Sequence, residues 1–350
     1  MSASPLRLLF LSDTHLGFDL PQRPRVRRRR RGHDFFRNFE LALAPALRGE
    51  VDLVVHGGDL LFRSKVPARL VDQALVPLKR VADAGVPVVM LPGNHERSHI
   101  PFRLLAQHRG LHVFDRPQTF HLLLGQLRVA LAGFPYERGG VRDRFGALLD
   151  ATGWQRGQAD VRLLCLHHCV EGAQVGPRDF TFRHAPDVIR GHDLPRGLAA
   201  VLCGHVHRHQ VLTHDLRRVP LAAPVLYAGS TERTSFAERD EPKGYLRIEL
   251  EGDEASGGRL RSWRFCPLPA RPMVQNDLDV EALAPGALEE AVRDAIAAAP
   301  VDAVLKLRLH GLGDEATLAS LSAARLRALA PETMNVSMSV FPRVSEALEP

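Results

Sequence analysis

Residues 6–15 read LRLLFLSDTH, a short apolar run that ends abruptly in Ser12, Asp13, Thr14 and His15. Apolar runs of this length, bounded by turn residues, are typical of strands buried inside a sheet. The pattern recurs four times: residues 51–55 lead into HGGD at 56–59, 86–91 into PGNHE at 92–96, 161–166 into HH at 167–168, and 199–203 into GHVH at 204–207. Five strands, each ending in polar and potentially metal-binding residues, are therefore predicted.

Between the early strands the apolar residues change to a helical period. Residues 34–47 and 68–84 each carry a stripe of apolar side chains at spacings of three and four. Strand and helix in alternation predict right-handed βαβ units around a buried sheet, an α/β fold, with functional groups collecting where strands end. Further strands are expected within 219–250, with Gly229 and Ser230 at a turn.

The character of the chain changes after about Arg271. An alanine-rich helix is predicted at 288–298, a strand at 303–309, a second helix at 316–329 and a strand at 334–341. We expect a large domain over 1–268 and a small α+β cap domain over 269–350.

Composition indicates an ordinary globular protein with 45% hydrophobic residues and a net charge of +6. The positive charge favours a polyanionic partner. That inference is weakened because only four of the 46 basic residues are lysines, an arginine bias that often reflects base composition. Cys165, Cys169, Cys203 and Cys266 form no zinc-type spacing. Without a signal-like start or a membrane-length apolar run, the chain is expected to be cytoplasmic.

Eight side chains at the strand ends are hard to explain as scaffolding, because carboxylates, amides and imidazoles there must be desolvated and then satisfied. A pair of divalent cations would satisfy all of them. The eight are Asp13, His15, Asp59, Asn94, His95, His167, His205 and His207. This donor set suits Mn²⁺, Fe²⁺ or Zn²⁺ better than Ca²⁺. Alternation along an extended strand is expected to point both members of D-x-H and H-x-H to one side.

The order D-x-H, GGD, GNHE, strand-end His and GHxH resembles the calcineurin-like metallophosphoesterase superfamily over residues 6–207. The resemblance implies a four-layer αββα sandwich and a water activated by two metals. It implies that Asp13, His15 and His207 hold one metal, that Asn94, His167 and His205 hold the other, and that Asp59 bridges both. His95 would be the catalytic proton donor or transition-state stabiliser. At the fourth cluster we favour His167 over His168, because it ends the apolar run.

Two further segments resemble the SbcD-type nucleases of DNA double-strand-break repair. They are GHDFF at 32–36 and YAGSTER at 227–233, the latter followed by Phe236, Glu238 and KGY at 243–245. The resemblance implies a Mn²⁺-dependent 3′-to-5′ exonuclease, with endonuclease activity also open, and Fe²⁺, Zn²⁺ or Mg²⁺ as other metals. It also implies an SMC-like ATPase (SbcC-type) partner and a homodimer, although little chain remains beyond the cap to dock the ATPase. Phe62 departs from the family, in which His often stands three residues after the bridging Asp.

Seven arginines fall within residues 23–31, between the first metal cluster and the first helix. They are either a solvated loop or a grip on DNA phosphates. The candidate DNA contacts are Arg27, Arg28, Arg29, Arg30 and Arg233.

Two other interpretations stay open. One is a metallophosphoesterase for a phosphoprotein, cyclic nucleotide or nucleotide pyrophosphate, which the metal motifs alone do not distinguish. The other is a DNA-binding scaffold subunit with incidental turnover, which the complete ligand set argues against.

Overall fold

The computed structural model describes residues 4–21, 23–96, 107–284, 287–311 and 321–341. The chain divides into two compact units. The first comprises Met1–Phe18 and Asp34–Pro269, and the second comprises Asp19–His33 and Ala270–Pro350. The second unit thus includes a short segment near the start of the chain in addition to the C-terminal residues.

The first unit is built mainly of strands. They are β1 (Leu6–Leu11), β2 (Leu53–His56), β3 (Val88–Met90), β4 (Leu111–Val113), β5 (Gln118–Leu124), β6 (Leu127–Gly133), β7 (Val161–Leu166), β8 (Cys169–Val170), β9 (Gln174–Val175), β10 (Phe180–Thr181), β11 (Val188–Ile189), β12 (Ala200–Cys203), β13 (Gln210–His214), β14 (Pro220–Tyr227), β15 (Gly244–Glu251) and β16 (Arg259–Pro267). Its helices are α1 (Arg31–Leu47), which begins in the second unit, α2 (Ala68–Asp83) and α3 (Val141–Thr152).

Two six-stranded sheets organise this unit, in the orders β16-β15-β1-β2-β3-β4 and β13-β14-β12-β7-β6-β5. β1 to β4 run parallel to one another, as do β6, β7, β12 and β14. Antiparallel strands complete the edges. The parallel strands of each sheet therefore end along one edge, where loops can bring functional side chains together.

The two sheets share a core of fully buried apolar side chains, among them Leu8 of β1, Leu163 of β7 and Leu202 of β12. α2 buries one face beside β3 and β4, and Phe39 of α1 contacts the His56 ring of β2. α3 packs on the other sheet in a second core. Helix, sheet, sheet and helix form the four-layer αββα sandwich that the sequence predicted.

The second unit contains β17 (Met273–Asp279), α4 (Leu288–Ala298), β18 (Val304–His310), α5 (Ala323–Leu329) and β19 (Asn335–Phe341). Its three strands pair in the order β17-β18-β19 and are all parallel. The unit is consequently of α/β type, and the α+β prediction was wrong because parallel neighbours need a crossover between them. Part of the helix predicted at 316–329, residues 316–320, lies outside the described residues.

The predicted bounds hold for β1, β7 and α4, and shift by one to three residues for β2, β3, β12 and the first two helices. Strands and a helix within 111–152 were not predicted. All four cysteines are free, and Cys266 alone among them is only partly buried. Among the described residues, no helix has the length and hydropathy that crossing a bilayer requires.

Candidate metal centre

The predicted site residues lie in loops that leave the ends of parallel strands in both sheets. Asp13 and His15 follow β1, Asp59 follows β2, and Asn94 and His95 follow β3 in the first sheet. His167 follows β7, and His205 and His207 follow β12, in the second sheet. The face-to-face packing of the sheets brings the two sets of loops to the same edge.

The backbone of these loops is unusual for residues with side chains. Asp13, His15, Asp59 and His205 have φ angles of 52°, 44°, 52° and 79°, in the left-handed region that disfavours a Cβ. The loops after β1 and β2 interlock, because Asp13 N–H donates to Gly58 O at 2.9 Å and His15 N–H to Asp59 O at 3.0 Å. We had predicted that alternation along an extended strand points Asp13 and His15 to the same side. That prediction was wrong, because neither residue has extended backbone angles. Such backbone conformations are often concentrated at functional sites.

Asp13, His15 and His207 form one group of converging ligand atoms, all within 4.8 Å of one another. Nε2 of His15 lies 3.0 Å from Nε2 of His207, which lies 3.8 Å from Oδ1 of Asp13. Asp13 is fully buried and His15 nearly so. The backbone N–H of His205 also faces both oxygens of the Asp13 carboxylate, at 3.1 and 3.2 Å.

Asn94, His167 and His205 form the other half. Oδ1 of Asn94 lies 3.1 Å from Nε2 of His167 and 2.9 Å from Nδ1 of His205. Oδ2 of Asp59 lies 3.3 Å from Nε2 of His167, and Oδ1 of Asp13 lies 4.0 Å from the same nitrogen. Asp59 also belongs to a group with His15 and His95. Asp59 therefore faces donors of both halves.

His95 lies at the outer side of the cluster, with about a third of its side chain exposed. Its Nδ1 faces the carbonyl oxygen of Phe62, and its Nε2 is 3.8 Å from Oδ2 of Asp59. Its backbone N–H donates to Oδ1 of Asp59 at 2.9 Å. The contact with residue 62 is made by the main chain, so it does not depend on the Phe side chain that departs from the family pattern.

The two adjacent histidines point in different directions. Nδ1–H of His167 donates to Gly57 O at 2.7 Å, which leaves Nε2 directed at Asn94 and Asp59. His168 instead accepts the N–H of Glu137 at 3.0 Å through Nε2 and stacks on Tyr136 with a centroid distance of 4.9 Å. Of the pair, His167 has the geometry of a ligand.

The electrostatics of the cluster reflect buried charge. Desolvation raises the pKa of Asp13. Burial would also raise the pKa of Asp59, but the adjacent His167 holds it well below its usual range. Burial lowers the pKa values of His15 and His205 to about 3. His167 is the exception: burial opposes its charge, yet the Asp59 carboxylate raises its pKa to about 9.

The residues present fit divalent cations. No lysine or arginine in the described part of the chain forms an ion pair with Asp13 or Asp59, although both carboxylates are almost completely buried. They face imidazoles, and the Asn94 amide oxygen contacts two imidazoles of the same cluster; all of these groups are metal donors. Three overlapping groups of such donors share members. The donor set therefore fits two divalent cations and leaves their identity open.

Glu96 is a site residue for which no role was predicted from the sequence. It is buried and accepts the backbone N–H of Leu61 at 2.6 Å and of Gly93 at 2.8 Å. These bonds join the loop that carries Asp59 to the loop that carries Asn94. Burial, together with nearby Asp59, raises the Glu96 pKa to about 8. Its place in the GNHE motif was the available signal.

Lys243 belongs to the segment that resembles SbcD-type nucleases. Its side chain is fully buried, and Nζ contacts Glu238 at 2.8 Å, Glu241 at 3.0 Å and the carbonyl oxygen of His207 at 2.9 Å. Glu238 in turn lies 3.3 Å from Nδ1 of His207. The segment resembling SbcD-type nucleases thus contacts a predicted metal ligand, a relationship that spacing alone could not reveal.

The candidate DNA contacts are in diverse surroundings. Arg27 is exposed. Arg28 donates to the carbonyl oxygens of Arg327, Ala330 and Pro331. The carbonyl of Arg29 accepts from Asn335, Arg30 pairs with Asp19, and Nε of Arg233 donates to Glu241 O at 3.2 Å. Arg28 and Arg30 are therefore engaged within the protein.

The chain is similar to several known proteins. The family model described as calcineurin-like phosphoesterase matches residues 6–209. Proteins named DNA double-strand break repair protein Mre11 are similar: 31% identical over 90% of this chain in Haloferax volcanii, and 27% over 78% in Aeropyrum pernix. The chain covers 64% of each of these relatives. A third, from Halobacterium salinarum, is 28% identical over 88% of this chain and 75% of its own. A dimetal phosphatase structure from Danio rerio aligns with 74% of this chain and 98% of its own, at 12% identity and a TM-score of 0.44.

Proposed function

The chain belongs to the calcineurin-like phosphoesterase family, and on that premise we propose that it is a metal-dependent nuclease of DNA double-strand-break repair. The observation that carries the proposal is the pair of buried carboxylates, Asp13 and Asp59, which cluster with five imidazoles and one amide and, in the described part of the chain, form no ion pair with a lysine or arginine. Such a site has the composition needed to hold two metal ions against a phosphodiester.

We assign one cation to Asp13, His15 and His207, the other to Asn94, His167 and His205, and Asp59 to both. When bound, such cations lower the pKa of a water molecule and neutralise charge that develops on phosphorus. Glu96 holds the loops of Asp59 and Asn94 together. The ring of His95, held through Nδ1, presents Nε2 to the site. We assign that nitrogen to hold a proton for the leaving oxygen or to stabilise the transition state.

DNA as the substrate is supported by two related features of the sequence. The archaeal relatives carry the name of a double-strand break repair protein, and residues 227–245 resemble SbcD-type nucleases. On the same resemblance we propose Mn²⁺ as the metal, 3′-to-5′ exonuclease activity, an SMC-like ATPase partner and a cytoplasmic location. Among the candidate DNA contacts we favour Arg27, which is exposed, whereas Arg28, Arg30 and Arg233 donate to groups within the protein.

The test is incubation of the purified chain with single- and double-stranded DNA labelled at the 5′ or the 3′ end, with Mn²⁺, Mg²⁺ or a chelator. We expect Mn²⁺-dependent shortening of 5′-labelled strands and immediate release of the 3′ label. A phosphorothioate at the 3′-terminal linkage should slow this degradation of the strand. Asp59→Asn is the inactive control. The matched control is Glu290→Gln, because Glu290 is an exposed residue of α4 remote in sequence from every site residue.

Other results would favour other functions. Hydrolysis of a phosphopeptide, cyclic nucleotide or nucleotide pyrophosphate with intact DNA would overturn the proposed substrate but not the metal centre. Tight, salt-sensitive DNA binding without metal-dependent cleavage would instead indicate a scaffold subunit.

A further inference from the structure

Glu238 lies in a short 3-10 turn, Phe236–Glu238, in the segment between β14 and β15. Its Oε1 accepts the hydroxyl of Thr234 at 2.6 Å and that of Ser235 at 3.2 Å, and its Oε2 lies 2.8 Å from Nζ of Lys243. Four donors from its own segment, counting the Thr234 N–H, converge on this carboxylate. The Glu238 side chain is only 12% exposed, and the donors that converge on it fix its position.

The fixed carboxylate faces the rear of a predicted metal ligand. Oε1 of Glu238 lies 3.3 Å from Nδ1 of His207, and Thr234 Oγ1 lies at the same distance. Because the Thr234 hydroxyl donates its own hydrogen to Glu238, either acceptor connects the imidazole to the same carboxylate. The opposite nitrogen, Nε2, points towards His15 and Asp13.

Lys243 holds the same ligand from a second side. Its buried ammonium group donates to the backbone carbonyl of His207 at 2.9 Å and pairs with both Glu238 and Glu241. Ring and main chain of His207 are thus fixed by one buried ion-paired unit. An ammonium and two carboxylates are costly to bury, so their retention beside a ligand calls for a role.

We propose that Glu238, supported by Lys243, is a positioning residue that orients His207 for metal binding. By accepting the Nδ1 proton directly or through Thr234, the carboxylate fixes the tautomer in which Nε2 carries the lone pair, and strengthens that nitrogen as a donor. The inference rests on the metal centre of the proposed function, but it does not depend on DNA being the substrate.

A purely structural role for Glu238, closing its own loop, makes a different prediction. It would lower the stability of the fold without discriminating between the two cation sites. A positioning role weakens the site that contains His207 and spares the site of Asn94, His167 and His205. Metal affinity, measured site by site, separates the two.

The experiment titrates the metal-stripped full-length chain with Mn²⁺ and follows free Mn²⁺ by electron paramagnetic resonance. We expect two sites in the wild type. In Glu238→Ala one site should weaken by roughly ten- to a hundred-fold, while the other stays within about two-fold of the wild type. Glu238→Gln keeps an amide oxygen that accepts a hydrogen bond, so its affinity at the weakened site should lie between those of Glu238→Ala and the wild type. Glu290→Gln should match the wild type at both sites.

Two unchanged Mn²⁺ sites in Glu238→Ala with native circular dichroism would overturn the inference, as would equal weakening of both sites. If Glu238→Ala fails to fold, the Mn²⁺ titration of Glu238→Gln replaces it. The d–d absorption spectrum of the Co²⁺-loaded Glu238→Gln protein then serves as a second measurement, because it reports a change at one ligand. Absence of Mn²⁺ binding by the wild type would overturn the metal centre as well. DNA left intact by a wild type that binds two Mn²⁺ would count against the proposed function alone.

Discussion

Gly93 approaches Asp59 so closely that a Cβ on the glycine would lie 2.1 Å from Oδ1 of the carboxylate and 2.5 Å from its backbone nitrogen. The loop after β3 therefore packs its main chain directly on the Asp59 carboxylate. This contact allows the N–H of His95 to donate to the same Oδ1. The glycine of the GNHE motif is thus required by a close approach and not by its backbone angles.

Gly93→Ala is expected to displace the Asp59 carboxylate, because the clash involves a backbone atom as well as the side chain. Overpacking of this kind costs about 1–3 kcal/mol of stability, and we expect Mn²⁺ affinity to fall by at least about ten-fold. Chemical denaturation and Mn²⁺ titration measure the two effects. Gly146→Ala in α3 is the control: nothing lies within 4 Å of its Cβ position, so alanine should raise stability by about 0.5–1 kcal/mol. Wild-type affinity in Gly93→Ala would refute the packing argument.

Asp59→Ala and His95→Ala should separate metal binding from chemistry. Asp59 faces donors of both halves, so its loss should abolish hydrolysis together with Mn²⁺ binding. His95 lies at the outer side, and its substitution should leave two bound Mn²⁺ while hydrolysis falls by about 10²–10⁴-fold. Metal analysis after gel filtration, beside a cleavage assay, checks both. Loss of metal from His95→Ala would make His95 a ligand instead.

Metal binding should release a proton from His167. In the metal-free protein Asp59 raises the His167 pKa to about 9, so below that pH a proton occupies the nitrogen that must bind the cation. Mn²⁺ affinity should therefore rise with pH and level off near pH 9. Calorimetry at pH 7.5 in two buffers of different ionisation enthalpy counts the protons released. His167→Ala should remove this release, whereas His168→Ala should keep it, because His168 faces Glu137. An affinity independent of pH between 6 and 9 would contradict the assignment.

The ends of the buried parallel strands could be predicted from sequence because burial on both faces leaves a continuous apolar run and the functional residues interrupt it sharply. Residues 111–152 gave no such signal. β5 is a half-exposed edge strand, so its pattern is mixed, and α3 shows a weaker amphipathic pattern than α2. The left-handed backbone conformation of Asp13 and His15 could not be predicted from the sequence either, because it follows from the pairing of two loops that are far apart in sequence.

The contacts that support the predicted metal ligands could not be predicted from the sequence either. Nothing in the spacing of His207, Glu238 and Lys243 indicates that they meet, because their contact depends on how the segment after β14 folds back. Arg28 makes contacts that the sequence pattern did not indicate either. A run of arginines suggests a nucleic-acid contact, yet a guanidinium satisfies carbonyl groups of its own protein equally well.

Arg28→Ala and Arg27→Ala should therefore have opposite effects. Arg28 donates to carbonyl groups at the end of α5, including those of Arg327 and Ala330, which the helix itself leaves without partners. Its loss should cost about 1–3 kcal/mol of stability. Arg27 is exposed, so Arg27→Ala should change stability by less than about 0.5 kcal/mol. If Arg27 contacts a phosphate, the substitution should also reduce by about one the slope of the logarithm of the DNA-binding constant against the logarithm of the salt concentration. Thermal denaturation and DNA binding across a salt series measure both. An unchanged melting temperature in Arg28→Ala would show that these hydrogen bonds do not stabilise the unit, and Arg28 would again be a candidate for phosphate binding.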